Sequence, residues 1–323
     1  MLISAVWYPG WSERDTDAMP NPAGPPAPPH PARLRVGVIG AGRVGVTLGA
    51  ALARAGHLLT GVSAVSEASR QRAARMLPGV DVKQPQDVLA GADLVLLTVP
   101  DDVLPALVAG LSATGTPLEG RLLAHTSGRH GTAVLAPATR LGALPLALHP
   151  VMTFTGRPDD VNRLAGISFG VTAPESLRLV AEALVIEMGG EPVFIEEASR
   201  ELYHAALASA ANHLVTLVVQ AAELLGVAGV ADPARMLAPL LSAALDNALR
   251  LGDAGLTGPV ARADAETVAG HLDAPRQVSP EALRAYVALA RLTADRALAA
   301  GILDPPDAQR LLDVLAGAPG APR

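Results

Sequence analysis

Residues 35–45 read Arg35-Val36-Gly37-Val38-Ile39-Gly40-Ala41-Gly42-Arg43-Val44-Gly45. The stretch starts as a β-branched strand, passes through spaced glycines and continues into a helix pattern, as the first strand, turn and helix of a dinucleotide-binding unit do. In such a unit Gly40 permits the tight turn, Gly42 lets the backbone approach a pyrophosphate, and Gly45 allows the helix to pack closely on the strand. The start of the helix adds N–H groups and a positive dipole end. The sequence therefore predicts a dinucleotide site formed by Gly40, Ala41, Gly42, Arg43, Val44 and Gly45.

A chain rich in glycine and alanine also produces this spacing by chance, so a bare structural turn is the alternative. Here the strand before the turn is apolar and the helix after it is amphipathic. A second short strand, residues 58–64, follows where the fingerprint requires one. This context favours nucleotide binding.

The end of that second strand distinguishes the two nicotinamide cofactors, because an acidic residue there would hold the ribose 2′-hydroxyl of NAD. This chain has Ser63 and Ser66 at that place, followed by Arg70 and Arg72. Hydroxyls and a guanidinium suit a 2′-phosphate. The sequence therefore favours NADP(H), with Ser63, Ser66 and Arg70 as contacts. Glu67 is near enough to keep NAD(H) as the alternative, in which case the arginines only solvate a surface helix.

Length and composition limit the classes of protein to consider. The chain has 323 residues, a formal net charge of −6, no cysteine and 50% hydrophobic residues. This length suits two domains, and the acidic balance argues against a nucleic-acid surface. Without cysteine there is neither a disulfide nor a thiolate site, and the eight histidines are scattered, so no metal site is predicted. We expect no membrane-spanning helix and a cytoplasmic protein.

The pattern along the chain predicts four segments. Residues 1–32 are rich in proline and are expected to form a disordered leader, with a later start at Met19 as an alternative explanation. Residues 33–196 alternate strands with helices, which predicts a doubly wound, mostly parallel Rossmann sheet. Residues 197–317 carry helix patterns only, and 318–323 form a disordered tail. The predicted fold class is α/β, followed by an all-α C-terminal domain.

Three successive predicted strands end in polar groups, at residues 98–101, 125–128 and 149–152. In open α/β sheets ligands bind outside the carboxyl ends of the strands, so a nicotinamide is expected there. The pattern also predicts a short strand at 80–83 and a loop at 159–166. The residues assigned at the strand ends are Thr98, Val99, Pro100 and Thr126 for the cofactor, Ser127 for catalysis and His149 for substrate.

The second domain begins with a long apolar helix over residues 198–225. A helix as apolar as residues 205–219 must be buried nearly all round, which a second protomer would achieve, so a homodimer is predicted. Burial within one compact helical domain is the alternative. His204 and Asn212 are eight residues apart and so lie on broadly one face. Near a cofactor they would polarise a carbonyl and deliver a proton, although packing roles are the alternative.

A second cluster lies in the loop formed by residues 256–264. Thr257 and Gly258 expose a hydroxyl and backbone donors, and Arg262 can form a bidentate pair with a substrate carboxylate. Asp264 can cap the helix that follows. We predict Thr257, Gly258 and Arg262 as substrate-binding residues, with a surface pair between Arg262 and Asp264 as the alternative.

Taken together, these motifs resemble a known family of Rossmann-like proteins whose C-terminal half is a domain of unknown function. The family belongs with the 6-phosphogluconate-dehydrogenase-like reductases, alongside ketopantoate reductase and pyrroline-5-carboxylate reductase. The resemblance covers about residues 33–315 and implies an NADP(H)-linked reductase with a helical dimerisation domain; for some members it implies ketopantoate reduction in pantothenate synthesis. It is carried by the glycine turn, by His125-Thr126-Ser127-Gly128, His149-Pro150 with Phe154, Tyr203-His204-Ala205-Ala206 with Asn212, and Leu256-Thr257-Gly258-Pro259 with Arg262 and Asp264.

The resemblance also implies roles in the helical domain. In ketopantoate reductase a helix lysine is the acid and asparagines on that helix bind substrate; His204 falls where the lysine would be, and Asn212 matches one asparagine. Two departures from the pattern matter. The only lysine of the chain is Lys83, outside this domain, and Ala263 stands where the family usually has glycine, which is expected to reshape the loop.

The hypothesis from the sequence is hydride transfer from NADPH to the carbonyl of a small 2-keto acid. His204 would donate the proton, Asn212 would orient the carbonyl, and Arg262 would hold the carboxylate. Reduction of an imine of the pyrroline-5-carboxylate type is one alternative. A non-catalytic nucleotide-binding sensor or scaffold is the other.

Overall fold

A computed structural model of the protein describes residues 33–276 and 278–317. The predicted leader and the predicted tail lie outside the described residues. The chain divides into two compact units, one ending at Glu197 and the other beginning at Ala198.

The first unit contains one seven-stranded sheet with the order β2-β1-β3-β4-β5-β6-β7. Neighbouring strands are parallel except β5 and β6, which are antiparallel. This confirms the predicted mostly parallel sheet. The strands are β1 Arg35–Ile39, β2 Leu58–Ser63, β3 Leu94–Leu97, β4 Leu122–His125, β5 Leu144–Pro150, β6 Ser168–Thr172 and β7 Glu191–Phe194.

Helices cover both faces of this sheet because its central strands are apolar on both sides. In β3, Leu94 and Leu96 belong to one buried cluster, and Val95 and Leu97 belong to the other. α1, α2 and α7 pack on the first face, and α3, α4 and α5 on the second. The helices of this unit are α1 Arg43–Arg54, α2 Glu67–Met76, α3 Pro85–Ala90, α4 Leu104–Ala113, α5 Ala136–Thr139, α6 Asp159–Arg163 and α7 Arg178–Glu187.

Three local predictions are wrong. The expected strand at 80–83 is only an isolated bridge between Val62 and Val82, because the chain turns into α3 directly afterwards. The expected loop at 159–166 contains α6, whose first turn carries Asp159 and Asp160, and carboxylates stabilise a helix start. The strand that was expected to end before His149 runs on to Pro150, so His149 pairs with Gly170 of β6.

The second unit is helical. Its core lies among α11, α12 and α13, around side chains such as Val268, Val287 and Leu311. The helices are α8 Arg200–Ala208, α9 Leu214–Val227, α10 Pro233–Leu251, α11 Ala265–Arg276, α12 Pro280–Ala299 and α13 Pro305–Ala316, and a π-helical turn, Ser209–His213, joins α8 to α9.

The continuous helix from Glu197 to Val227 is apolar and exposed. It spans 31 residues with a mean hydropathy of 1.4 over its most apolar stretch, none of which is buried. The alternative of burial within one helical domain is therefore wrong for the described residues. By length and composition the helix could cross a membrane, a test that helices buried in soluble proteins also pass.

Candidate functional site

The predicted dinucleotide turn lies where the order of strands reverses. From β1 the chain moves to β2 on one side and returns to β3 on the other, so the carboxyl ends of β1 and β3 border a crevice. The Thr98 hydroxyl, directly after β3, donates to the Gly40 carbonyl oxygen at 2.6 Å. Because Thr98 is buried, this bond holds the Gly40 carbonyl oxygen in one position.

Two glycines of the turn are required by its geometry. Gly40 has φ of 106°, and a Cβ there would lie 2.6 Å from the carbonyl oxygen of Thr98. A Cβ on Gly45 would overlap the Gly40 carbonyl oxygen and the Thr98 hydroxyl. At Gly42 the nearest atom to such a Cβ is 3.7 Å away, so this side of the turn leaves room for a ligand.

The turn also defines which amides remain for a phosphate. The N–H groups of Gly40 and Ala41 donate to the Ser63 carbonyl oxygen, at 3.1 and 3.0 Å. Ser63 itself is buried. The first turn of α1, which begins at Arg43, is then the part with N–H groups that lack helical partners.

Two arginines stand together beside the turn. Arg72 of α2 donates to the Ala41 carbonyl oxygen at 2.8 Å. A Cβ on Gly156 would lie 3.0 Å from Nε of Arg72 and 3.1 Å from Cγ of Arg43, so both side chains pass the same glycine. Arg43 also reaches the Phe154 carbonyl oxygen at 3.5 Å. We call Arg43 and Arg72 the arginine pair.

Arg70, the arginine assigned to the cofactor from the sequence, is directed elsewhere. It donates to Glu67 at 3.2 Å and to the Val65 carbonyl oxygen at 2.8 Å, within its own turn of chain. Ser66 caps α2 by accepting the Ser69 N–H at 3.1 Å. The sequence could have indicated Arg72 through its helical spacing. Arg72 lies four residues before the buried Met76, so the two side chains share the inward face of α2.

Asp160 holds the loop that carries Gly156, and the sequence analysis missed it. Its buried carboxylate accepts the N–H groups of Thr155 and Gly156, both at 2.7 Å, and Arg163 lies 3.2 Å away. Burial is the largest influence and raises the pKa of this carboxyl, but the two backbone donors, the Thr155 hydroxyl and Arg163 together outweigh it, so the pKa is lowered. The loop beside the arginine pair is therefore fixed by a charged group.

The end of β4 forms a tightly bonded turn. His125 is fully buried, donates from Nε2 to the Gly131 carbonyl oxygen at 2.8 Å, and accepts the Ser127 N–H at Nδ1. These partners define the neutral tautomer with the proton on Nε2. The Ser127 hydroxyl accepts the His130 N–H at 3.1 Å and is buried. Ser127 thus has a structural bond in addition to its predicted catalytic role.

Thr126, Val99 and Pro100 take backbone roles at the strand ends. The Thr126 N–H donates to the Leu97 carbonyl oxygen at 3.3 Å. The Pro100 carbonyl oxygen accepts from the residues that begin α4. Thr126 and Val99 are half-buried, and Pro100 is exposed.

Glu197, at the end of the first unit, is a further residue that the sequence did not indicate. Its carboxylate accepts the N–H groups of Thr132 at 2.7 Å and Ala133 at 3.2 Å. A Cβ on Gly131 would overlap this carboxylate. The chain leaving the sheet is therefore tied to the loop that follows β4.

In the second unit, the π-helical turn separates the two predicted catalytic residues. His204 lies on α8 and is half-buried, whereas Asn212 lies in the π turn and is exposed. The prediction that His204 and Asn212 share one face assumed a continuous α-helix. The wider π turn changes the angle about the helix axis between these two side chains. His213 is 3.0 Å from the Ser209 hydroxyl, across the π turn.

The loop containing residues 256–264 is compact and locally strained. Ala263 has φ of 59°, which is the conformation a glycine adopts easily and an alanine does not. Asp264 caps α11 by accepting the N–H and the hydroxyl of Thr267, at 3.0 and 2.8 Å, and these bonds lower its pKa. This confirms the predicted cap. Arg262 is exposed.

Thr257 and Gly258 border a cavity of about 420 Å³ that lies within the second unit. We call it the Tyr286 cavity, after the residue of α12 that lines it. Nδ1 of His271 lies 3.0 Å from the Tyr286 hydroxyl, and the two rings meet edge to face with centroids 5.7 Å apart. Most of the remaining lining is aliphatic, and Arg262 is outside it.

Two family models match the chain, and the second begins at residue 167, within the sheet of the first unit. Residues 21–150 match the model of a Rossmann-like domain, and residues 167–293 match a domain of unknown function, DUF2520. The chain joins these two domains. No curated protein matches the sequence significantly.

Several solved structures share the fold over most of the chain. A protein of Bacteroides fragilis assigned as an NADP oxidoreductase is 22% identical, with a TM-score of 0.68 and coverage of 81% of this chain and 98% of that one. An imine reductase from Myxococcus stipitatus in complex with NADP⁺ is 18% identical, with a TM-score of 0.61 and coverage of 86% and 99%. The 1-pyrroline-5-carboxylate reductase of Streptococcus pyogenes is 17% identical, with a TM-score of 0.53 and coverage of 83% of this chain and 99% of that one. At these identities the likeness establishes the fold.

Proposed function

We propose that the protein is a reductase that uses a nicotinamide dinucleotide, NADP(H) in preference to NAD(H), to reduce a carbon–oxygen or carbon–nitrogen double bond of a small molecule. The observation that carries the proposal is the glycine turn, bonded to Thr98 at the reversal of strand order, with the arginine pair beside it. The fold shared with an NADP oxidoreductase, an imine reductase and a pyrroline-5-carboxylate reductase supports it.

The residues present fit such a dinucleotide. The open side of Gly42 and the first turn of α1 suit a pyrophosphate, and the arginine pair suits a 2′-phosphate. Ser63 stands at the end of β2, where an acidic residue would select the 2′-hydroxyl. The dinucleotide supplies the hydride when bound. The protein's own residues hold the phosphates and supply the proton.

Binding measurements test the choice of cofactor. We expect the change Arg72→Met to weaken NADPH binding about tenfold or more, since one charge-assisted hydrogen bond is worth roughly 1.5–3 kcal/mol, and to leave NADH binding nearly unchanged. Arg70→Met is the matched control, because Arg70 is bonded to Glu67. Fluorescence titration with both dinucleotides gives the result. Equal losses of affinity for NADPH and NADH would contradict the proposal that the arginine pair binds the 2′-phosphate.

Proton delivery in this proposal belongs to His204, with Asn212 orienting the double bond and Arg262 holding an acidic substrate. A positioned donor contributes roughly 10²–10⁴-fold to the rate. We therefore expect His204→Ala to lower kcat by about that factor while the Kd for NADPH stays constant. His213→Ala is the control on the same helix. Parallel loss of folding and of NADPH binding would assign His204 a structural role.

Two substrate classes remain candidates: a small 2-keto acid such as ketopantoate, and a cyclic imine of the pyrroline type. The imine reductase and the pyrroline-5-carboxylate reductase among the structural relatives favour the second. Oxidation of NADPH with ketopantoate, pyrroline-5-carboxylate and 2-methyl-1-pyrroline compares them directly. NADPH binding without oxidation by any carbonyl or imine would instead support a nucleotide sensor or scaffold.

The proposal includes a homodimer formed by the helical unit. Apolar side chains are exposed on several of its helices, among them Val215 and Val219 on α9, Leu240 and Leu249 on α10, and Leu292 on α12. A membrane would cover one helix and leave the others in water, whereas a second copy of this unit covers several together.

Light scattering on a size-exclusion column tests the dimer. We expect twice the chain mass of 32.9 kDa for the wild type. Val215→Glu should shift the mass toward the monomer, and Leu179→Glu, at an exposed apolar residue of the first unit, should not. A monomeric wild type, or sedimentation with lipid vesicles, would contradict the dimer.

A further inference from the structure

The Tyr286 cavity has the size of a ligand site. Its volume of about 420 Å³ lies in the range of roughly 300–1,000 Å³ that small-molecule pockets occupy. α9, the loop at residues 257–260, α11 and α12 border it and leave one side open, so it is built by the second unit. Its shape therefore depends on contacts within one compact unit.

The lining of this cavity favours an uncharged occupant. Leu217, Leu224, Leu289 and Ala290 supply aliphatic surface, and no carboxylate, lysine or arginine occurs among the described residues that line it. An anion placed there would lose part of its hydration, and no lysine or arginine among the described lining residues offsets that cost. The cavity therefore discriminates against a carboxylate.

The polar side chains of the lining include Gln220, Thr257 and Thr293, and His271 and Tyr286 form a bonded pair that can orient a ligand. The Tyr286 hydroxyl is 3.0 Å from Nδ1 of His271, and the edge-to-face contact fixes both rings. Burial raises the pKa of Tyr286, so its hydroxyl stays protonated at neutral pH. When Nδ1 carries a proton and donates it to the phenolic oxygen, the Tyr286 O–H is available to an acceptor on the ligand.

A second apolar cavity of about 350 Å³ lies on the other side of this pair. Leu224, His271 and Tyr286 line both cavities, so the two rings form a partition between them. A long chain would have to displace the partition, whereas a ring-sized molecule fits on one side. The geometry therefore favours a compact ligand.

We propose that the Tyr286 cavity binds a compact, uncharged, mainly aliphatic molecule whose one carbonyl or imine group is held by the Tyr286 hydroxyl. The inference stands independently of the reductase, because His204, Asn212 and Arg262 are not among the described residues that line the cavity. Tyr286 is a positioning residue for the bound molecule.

Binding of two matched probes tests the inference without turnover. Cyclohexanone is the neutral probe, and 4-oxocyclohexanecarboxylate is its anionic counterpart; ligand-detected NMR and calorimetry on the full chain measure both. We expect the anionic probe to bind at least about tenfold more weakly, because a buried unpaired charge is disfavoured. Equal or tighter binding of the anionic probe overturns the proposal.

Three variants test whether cyclohexanone binds in the Tyr286 cavity. Ala221→Phe fills the cavity from α9 and should abolish binding of cyclohexanone, whereas Ala288→Phe, at an exposed residue of α12, should leave it unchanged. Tyr286→Phe removes one hydrogen bond and should weaken binding about 2- to 10-fold. Unchanged binding in Ala221→Phe, with a folded protein by circular dichroism, overturns the proposal. So does a wild type that binds neither probe.

The two proposals fail separately. NADPH titration measures binding to the glycine turn of the first unit. The Kd for NADPH should therefore be the same in all three variants of the second unit. NADPH binding with no binding of cyclohexanone overturns the cavity as a ligand site and leaves the reductase intact. Binding of cyclohexanone with no oxidation of NADPH by any ketone or imine leaves the cavity intact and overturns the reductase.

Discussion

The change Asp160→Asn tests whether a buried charge supports the cofactor loop. The carboxylate accepts the N–H groups of Thr155 and Gly156 at 2.7 Å each and the Thr155 hydroxyl at 3.1 Å. An asparagine keeps the shape but replaces one oxygen by an NH₂ group. Both backbone N–H groups donate to the same oxygen, Oδ2, so the amide oxygen can keep both bonds while the NH₂ group faces the Arg163 guanidinium and the Thr155 hydroxyl. The two backbone bonds then lose the negative charge of their acceptor.

The expected cost follows from these contacts. A hydrogen bond to a charged group is worth roughly 1.5–3 kcal/mol and one to a neutral group about 0.5–1.5 kcal/mol, so each of the two backbone bonds loses about 1 kcal/mol or more. The Arg163 contact adds little, because that guanidinium is half exposed. We expect a loss of about 2–4 kcal/mol in the free energy of unfolding. Asp159→Asn, at the exposed neighbouring residue, is the control and should cost at most about 0.5 kcal/mol.

Urea unfolding followed by circular dichroism measures the cost, and its pH dependence identifies the cause. The pKa of Asp160 is lowered in the folded state, so its contribution is complete above the unfolded pKa of about 3.9 and disappears as the pH falls through the folded value. The difference between wild type and Asp160→Asn should be constant from pH 6 to 8 and shrink from pH 4 toward pH 2. A difference that is absent at pH 7, or undiminished at pH 2, would refute the reasoning.

Four further outcomes are expected. Gly45→Ala should abolish NADPH binding in a titration, because its Cβ overlaps the Thr98 hydroxyl, and a variant that binds normally would contradict the turn geometry. Thr98→Val should lower the melting temperature and weaken NADPH binding, since the turn loses a bond worth about 0.5–1.5 kcal/mol. Ala263→Gly should raise the free energy of unfolding by up to about 1 kcal/mol, because relief of the left-handed strain exceeds the added chain entropy. Glu197→Gln should lower the melting temperature through the loss of charge-assisted bonds to Thr132, and an unchanged value would show that the cap is weak.

The parts of the fold that local patterns determine could be predicted from the sequence. The spacing of the glycines in the turn is local and could be read from the sequence, although the contacts that require Gly40 and Gly45 also involve Thr98, which is distant in the chain. The alternation of strands and helices is likewise local and predicted the sheet. β6 is antiparallel because of its pairing with β5. The periodicity of apolar residues within a strand does not indicate the direction in which the strand pairs.

The candidate site was only partly predictable, because several of its residues act through distant partners. Arg70 precedes Arg72 in sequence, yet Arg72 alone of the two bonds to the turn at Ala41. Asp160 lay in a segment predicted to be a loop, and its role depends on its bonds to Thr155 and Gly156. The Tyr286 cavity forms from four separate segments, and no motif marks it.

The π-helical turn at Ser209–His213 has a consequence for the whole of the long helix. Such a turn holds about one residue more than an α-helical turn, and each residue of an α-helix advances by about 100°. His204 therefore points in a direction offset by about that angle from the one that an unbroken α-helix would give it relative to α9. A deletion of one residue within the turn would close it to an α-helical turn and leave the imidazole in its present direction, whereas closing the turn with all its residues retained would rotate His204 by about 100° about the helix axis.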